Sequence, residues 1–263
     1  MISTSDTDYP EWFRLGNPLM WAIPKAVYEF LDNGSPLSIH HQNAVRCALI
    51  HFIHCLNLSV ETNRKGQHAV SICLLRQCAE ARTVIEVGLI RDQTLSSSLL
   101  AAWLNGSKTS GATRKELAQK VWPDYGVGLW QESWSEFVAE FGQALHPYAH
   151  YSPELQAWQI ALATDKPHQD QDGNYLFLAR VGLETYETNK ATRITLLHIL
   201  LSYMLGRIVV ENEAVPEVRR DEISQLGTAI AGSPELYHGK ISWHQQFWAH
   251  EFTNPNAHAQ YKT

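Results

Sequence analysis

The chain has little of what usually assigns a function to a sequence. Charged residues are only 18% of it, 21 Lys and Arg against 27 Asp and Glu, and the basic ones nowhere cluster. A formal net charge of −6 without a basic stripe offers no electrostatic footprint for duplex DNA or for an anionic membrane. No run of 18 uninterrupted apolar residues occurs, and the opening MISTSDTDYPEWFR is acidic where a secretory signal carries an apolar core. Neither membrane insertion nor secretion is expected, which leaves a soluble cytoplasmic protein.

Cysteine is also scarce, with four residues. Cys47 and Cys55 fall on one predicted helix about 12 Å apart, and Cys73 and Cys78 face different sides of another. Neither pair can bridge within its helix, so free thiols are expected. No glycine-rich phosphate loop, dinucleotide fingerprint, His-Glu-x-x-His or nucleophile elbow is found. The common ATP, dinucleotide and metalloprotease chemistries are thereby disfavoured, and no cofactor is expected. Internal repeats and low-complexity segments are missing too.

What is present is apolar and aromatic: nine Trp, ten Tyr and eight Phe in 263 residues. A chain of this length can bury roughly 70–75% of its unfolded surface, and no shift in composition marks a boundary, so residues 1–263 read as one domain. The pattern is that of an all-α multi-helix bundle with one small β-hairpin near 155–181, although LQAWQIALAT within that stretch also reads as helix. The organising segment is His68 to Asp92. At about 100° per residue, Val70, Leu74, Cys78, Ala81, Ile85 and Leu89 share one apolar arc, and the opposite arc is half apolar as well. Such a helix should be surrounded by others. Its charges pair at i, i+4, as Arg76 with Glu80 and Arg82 with Glu86.

Around this segment the chain reads in order as a surface arm over 1–17, then a short helix opened by Pro24. A long helix capped by Ser38 runs to about Val60, and further helices cover about 94–104 and 112–121. An aromatic helix carries Trp130, Trp134, Phe137, Phe141 and Leu145. A long helix from Thr188 or Asn189 runs to about Glu211, another is opened by Pro216 and closed by Gly232, and a short one spans Trp243 to Phe252.

Few constellations suit chemistry. Cys47, His51, His54 and Cys55 share one helix, but a tetrahedral metal site draws ligand pairs from two elements and no second pair matches. No metal site is expected. Asp170, Asp172 and Gly173 suit a hairpin turn better than a calcium loop, because His168 and Ala179 stand where that loop needs Asp and Glu. The most unusual stretch is HPYAHYSPE, which crowds His146, Tyr148, His150, Tyr151 and Ser152 just before a predicted helix start. Helix N–H groups there favour an anion, and histidine can move a proton near neutral pH. One reading is a polar pocket in which Arg76, Glu80 and His150 do the chemistry and His146, Tyr148, Tyr151 and Ser152 hold a phosphate or carboxylate. The other is that these Tyr and His residues hydrogen-bond a buried loop.

The segment LLRQCAEA, followed about 70 residues later by YAHYSPE, resembles a pattern in uncharacterised bacterial helical proteins distantly similar to HEPN-class domains. That resemblance implies a homodimer, and either metal-independent RNase activity of a toxin or defence system or an inactive relative. The HEPN spacing of Arg, four to six residues, then His occurs at Arg46/His51 and Arg193/His198, about as often as chance supplies it. The preferred reading is a cytoplasmic helical protein of unknown activity that binds a small anion. The alternatives are an RNase using Arg193 and His198 or Arg76 and His150, and an interaction module anchored by Trp12, Trp243 and Trp248. Expected partners are a small anionic ligand or RNA and a second copy of the chain, with no membrane and no duplex DNA.

Overall fold

The computed structural model describes residues 9–148, 160–162, 168–169, 171–172, 175–176, 179–181, 186, 188–213 and 220–233. Among them run eight α-helices: α1 (Glu11–Asn33), α2 (Ile39–Arg64), α3 (His68–Leu89), α4 (Gln93–Leu104), α5 (Ser110–Lys120), α6 (Trp134–Leu145), α7 (Thr188–Glu211) and α8 (Arg220–Ala231). Two 3-10 turns, Trp122–Tyr125 and His146–Tyr148, flank α6. The expected hairpin is present as two nested antiparallel pairings. Strand β1 (Ile160–Leu162) pairs with β4 (Ala179–Val181), and β2 (His168–Gln169) pairs with β3 (Tyr175–Leu176). Gln171 and Asp172 form the turn between them.

The helices start where their chemistry allows. Ser38 Oγ accepts the His41 N–H, the Asp92 carboxylate accepts the N–H groups of Thr94 and Leu95, and Thr109 Oγ1 accepts the Ala112 N–H. Each side chain satisfies donors that the first helical turn leaves unpaired. The aromatic helix begins later than its spacing suggests. Ser133 and Glu136 form a reciprocal capping box, so α6 starts at Trp134 and leaves Trp130 in the preceding turn, where its indole N–H donates to the Ala231 carbonyl.

α1 is the largest departure from the sequence reading. It is one continuous helix with Pro18 and Pro24 inside it, not a surface arm followed by a short helix. An interior proline costs about 3 kcal/mol in an isolated helix. Here Trp12, Gly16, Leu19, Met20, Ile23, Val27 and Leu31 form an unbroken buried face that packs chiefly on α7 and offsets that cost.

α3 lies at the centre, touching α2, α4, α5, α6, α7 and the His146–Tyr148 turn. Every residue from Ala81 to Ile90 is buried. The expected arc fails at its start, because Val70 is 48% exposed while Ile72 and Leu75 are fully buried in its place. α7 is the other core helix. By length and composition Lys190–Glu211 could cross a membrane, but its apolar surface is mostly enclosed by the bundle. The buried side chains of all eight helices join one contiguous cluster.

α2 and α3 approach closely at Gly88, where an added Cβ would lie 2.4 Å from Val45 Cγ2. Gly88→Ala is expected to cost about 1–3 kcal/mol through overpacking, despite alanine's better helix propensity. Urea unfolding should show a lower midpoint with an unchanged slope.

Candidate functional site

The site is built from the least apolar helix. α5, SGATRKELAQK, buries only Thr113 and Leu117 and lies along the surface beside α6. Between the two helices opens a cavity of about 700 Å³, within the range that holds a small organic ligand. Thr109, Gly111, Ala112, Arg114, Lys115 and Ala118 line its α5 side, and Ser135, Val138, Ala139, Gly142 and Gln143 its α6 side. Arg76 of α3, Trp122 and His146 complete the lining. The glycines matter locally: a Cβ at Gly142 would sit 3.7 Å from Arg114 Nη1, so the guanidinium lies against the bare backbone of α6.

Among the described residues the lining holds Arg76, Arg114, Lys115 and His146 and no carboxylate. Arg114 makes no hydrogen bond or ion pair among the described residues. Burial, then the positive charges of Arg76 and Arg82, press its guanidinium below the ordinary arginine range, and Glu80 eases this only in part. The nearby carboxylate on α5 is already committed, since Glu116 pairs with both Lys108 and Lys120. Arg76 is bound to Glu80 at 3.2 Å, yet its buried Nε has no acceptor among the described residues. The N-terminal turn of α5 adds partial positive charge to the same wall.

Behind the cavity lies a second charged group that is fully enclosed. Arg82 and Glu86 are 2% and 0% exposed and meet at 3.1 Å. The Trp122 indole N–H donates to the other Glu86 oxygen at 2.7 Å. Burial pushes the Glu86 carboxyl up and the Arg82 guanidinium down, and each partner opposes the other's shift. Of the two i, i+4 pairs on α3, this is the buried one. The pair singled out by the sequence, Arg76 with Glu80, is 17% and 39% exposed.

The structure brings some of the expected residues together. The His146–Tyr148 turn meets α3, where the Cys73 thiol donates to the Tyr148 carbonyl at 3.3 Å, one turn before Arg76. Arg76 and His146 consequently line the same cavity. Glu80 does not; it lines a neighbouring cleft of about 290 Å³ with Cys47, His51 and Trp103. Tyr148 is 4% exposed and outside the cavity wall. His150, Tyr151 and Ser152 lie outside the described residues, as do Trp243, Trp248 and the helix expected there.

Arg114 and Lys115 were missed. On a polar helix two adjacent cations read as a solvated face, and nothing in their spacing announces the wall of α6 opposite.

The remaining candidates lie away from the cavity lining. His198 is 1% exposed and its Nε2 is 2.7 Å from Ser59 Oγ, which is itself 2.8 Å from Ser71 Oγ. Burial pushes this imidazole down to about 3, so it is neutral at physiological pH. Arg193 is likewise buried, at 4% exposed. Arg46 donates to the Leu31 carbonyl and the Asp32 carboxylate, whereas His51 lies against Cys55. Trp12 is 3% exposed and belongs to the core, which removes it as an anchor for a partner. No group of three or more metal-ligating side chains gathers among the described residues.

Compared with protein-family models, curated proteins and solved structures, the chain matches none.

Proposed function

We propose that this protein binds a small organic anion, a phosphate or carboxylate on an apolar body, in the cavity between α5 and α6. The observation that carries this reading is the cationic lining: Arg76, Arg114, Lys115 and His146 with no acid beside them among the described lining residues and only Arg76 paired, to Glu80 outside the cavity, in a chain whose net charge is −6. A cationic recess on an anionic protein attracts a compact anion and repels an extended one. Trp122, Val138, Ala139 and Ala118 offer apolar surface for the body of such a ligand.

Phenyl phosphate supplies both parts in one probe. Calorimetric titration should give saturable binding to the wild-type protein. Arg114→Gln should weaken it about tenfold, the worth of one charge-assisted hydrogen bond. Equal binding to the variant, or no binding to either, would remove the reading.

A second reading, metal-independent RNA cleavage, draws on His146 sharing the cavity with two arginines, a proton carrier beside phosphate-binding cations. Mixed RNA incubated with the protein in EDTA should then be cleaved, and His146→Ala should abolish the cleavage. Intact RNA would leave binding as the better account.

A further inference from the structure

A second cluster stands apart from the cavity, at the interface of α2 and α3. Cys55 on α2 is 8% exposed, and its sulfur is 3.5 Å from Nε2 of His51 one turn earlier. Cys78 on α3 is fully buried, and its sulfur reaches across to α2, 3.5 Å from the Phe52 carbonyl and so within a turn of Cys55. Both residues are free thiols. These helices pack together more extensively than any other described pair, and both sulfurs lie at their interface.

We infer that Cys55 and Cys78 are a peroxide-reactive dithiol whose oxidation ties α2 to α3 through a disulfide. The two thiols play different parts. The neighbouring Cys78 thiol, with further help from His51 and His54, holds the Cys55 thiol down to about 6 against the opposing effect of burial. The proximity of Cys55 and burial push the Cys78 thiol up, and its S–H donates to the Phe52 carbonyl, so Cys55 is the more readily ionised of the two and Cys78 keeps its proton.

The chemistry balances with hydrogen peroxide as oxidant. The Cys55 thiolate attacks one peroxide oxygen; the S–O bond forms, the O–O bond breaks, and hydroxide leaves. Cys55 is then a sulfenic acid, its sulfur oxidised by two electrons and the peroxide reduced. The Cys78 sulfur attacks the Cys55 sulfur next. The S–S bond forms, the S–O bond breaks, and the departing oxygen takes the Cys78 proton to leave as water.

The test uses the full chain with Cys47→Ser, because tryptic peptide 47–64 otherwise carries two cysteines. After mild peroxide treatment and alkylation, mass spectrometry should find peptide 47–64 joined to peptide 77–82 with the loss of two hydrogens. In Cys78→Ser, which removes the resolving sulfur but keeps a hydroxyl donor beside Cys55, dimedone should instead trap a persistent sulfenic acid on Cys55. A Cys55 thiol that stays reduced while Cys73 oxidises would overturn the inference. So would dimedone labelling of Cys55 at the same yield with and without Cys78.

Discussion

Replacing Glu86 by glutamine is expected to destabilise the protein by about 3–5 kcal/mol, the cost of stranding one member of a buried ion pair. Arg82 is 2% exposed and among the described residues meets only this carboxylate as an acid, so its charge would stay buried with no described acid to balance it. The glutamine keeps an oxygen for the Trp122 indole N–H, which confines the loss to charge. A second substitution separates the two effects. Arg82→Met together with Glu86→Gln should recover most of the stability, because a neutral, well-filled site avoids the desolvation that both ions suffer. Urea unfolding of the two variants checks this: a double variant no more stable than Glu86→Gln alone would show that shape, not charge, decides the site.

The second large effect is a dependence on acid. The imidazole of His198 is held at about 3 in the fold against an ordinary value near 6.5, and burial is the cause. A base whose folded value is depressed contributes stability above its unfolded value and loses it as pH falls between the two. Stability should therefore fall by about 1.4 kcal/mol per pH unit below 6.5, or about 2 kcal/mol by pH 5, from this residue alone. His198→Gln keeps a polar partner for Ser59 but takes up no proton. Its unfolding free energy should change less between pH 7 and pH 5 than the wild-type value by that amount, and parallel pH profiles would contradict the assignment.

Most of the helical frame was legible because its signals are local. Ser38 caps α2, and Val45, Leu49, Phe52 and Leu56 recur at helical spacing and are all fully buried. Thr188 and Glu211 bound α7 as their flanking residues suggest. What was misread depends on partners far along the chain. Two prolines argue locally for a break in α1, but the face from Trp12 to Leu31 is held by α7, and Ile199 lies 2.4 Å from where a Cβ at Gly16 would stand. Val70 fits the apolar arc of α3 by spacing, yet the first turn of that helix buries Ala69, Ser71 and Ile72 instead. An i, i+4 rule recognises both ion pairs of α3 equally and has no means of telling which is enclosed.

The candidate site was half legible for the same reason. Charges on a half-apolar helix and a crowded His/Tyr stretch drew attention to Arg76 and His146, and they do share a cavity wall. Arg114 and Lys115 acquire meaning only because α6 lies opposite them. A guanidinium without an acid partner is a property of the assembled fold.

The account rests on that guanidinium. A crystal structure of the protein grown with saturating phenyl phosphate tests it most directly. The phosphate oxygens should lie within hydrogen-bonding distance of Arg114 and Arg76, with the ring against Trp122 and Val138. Phosphate bound elsewhere, with only water beside Arg114, would contradict it.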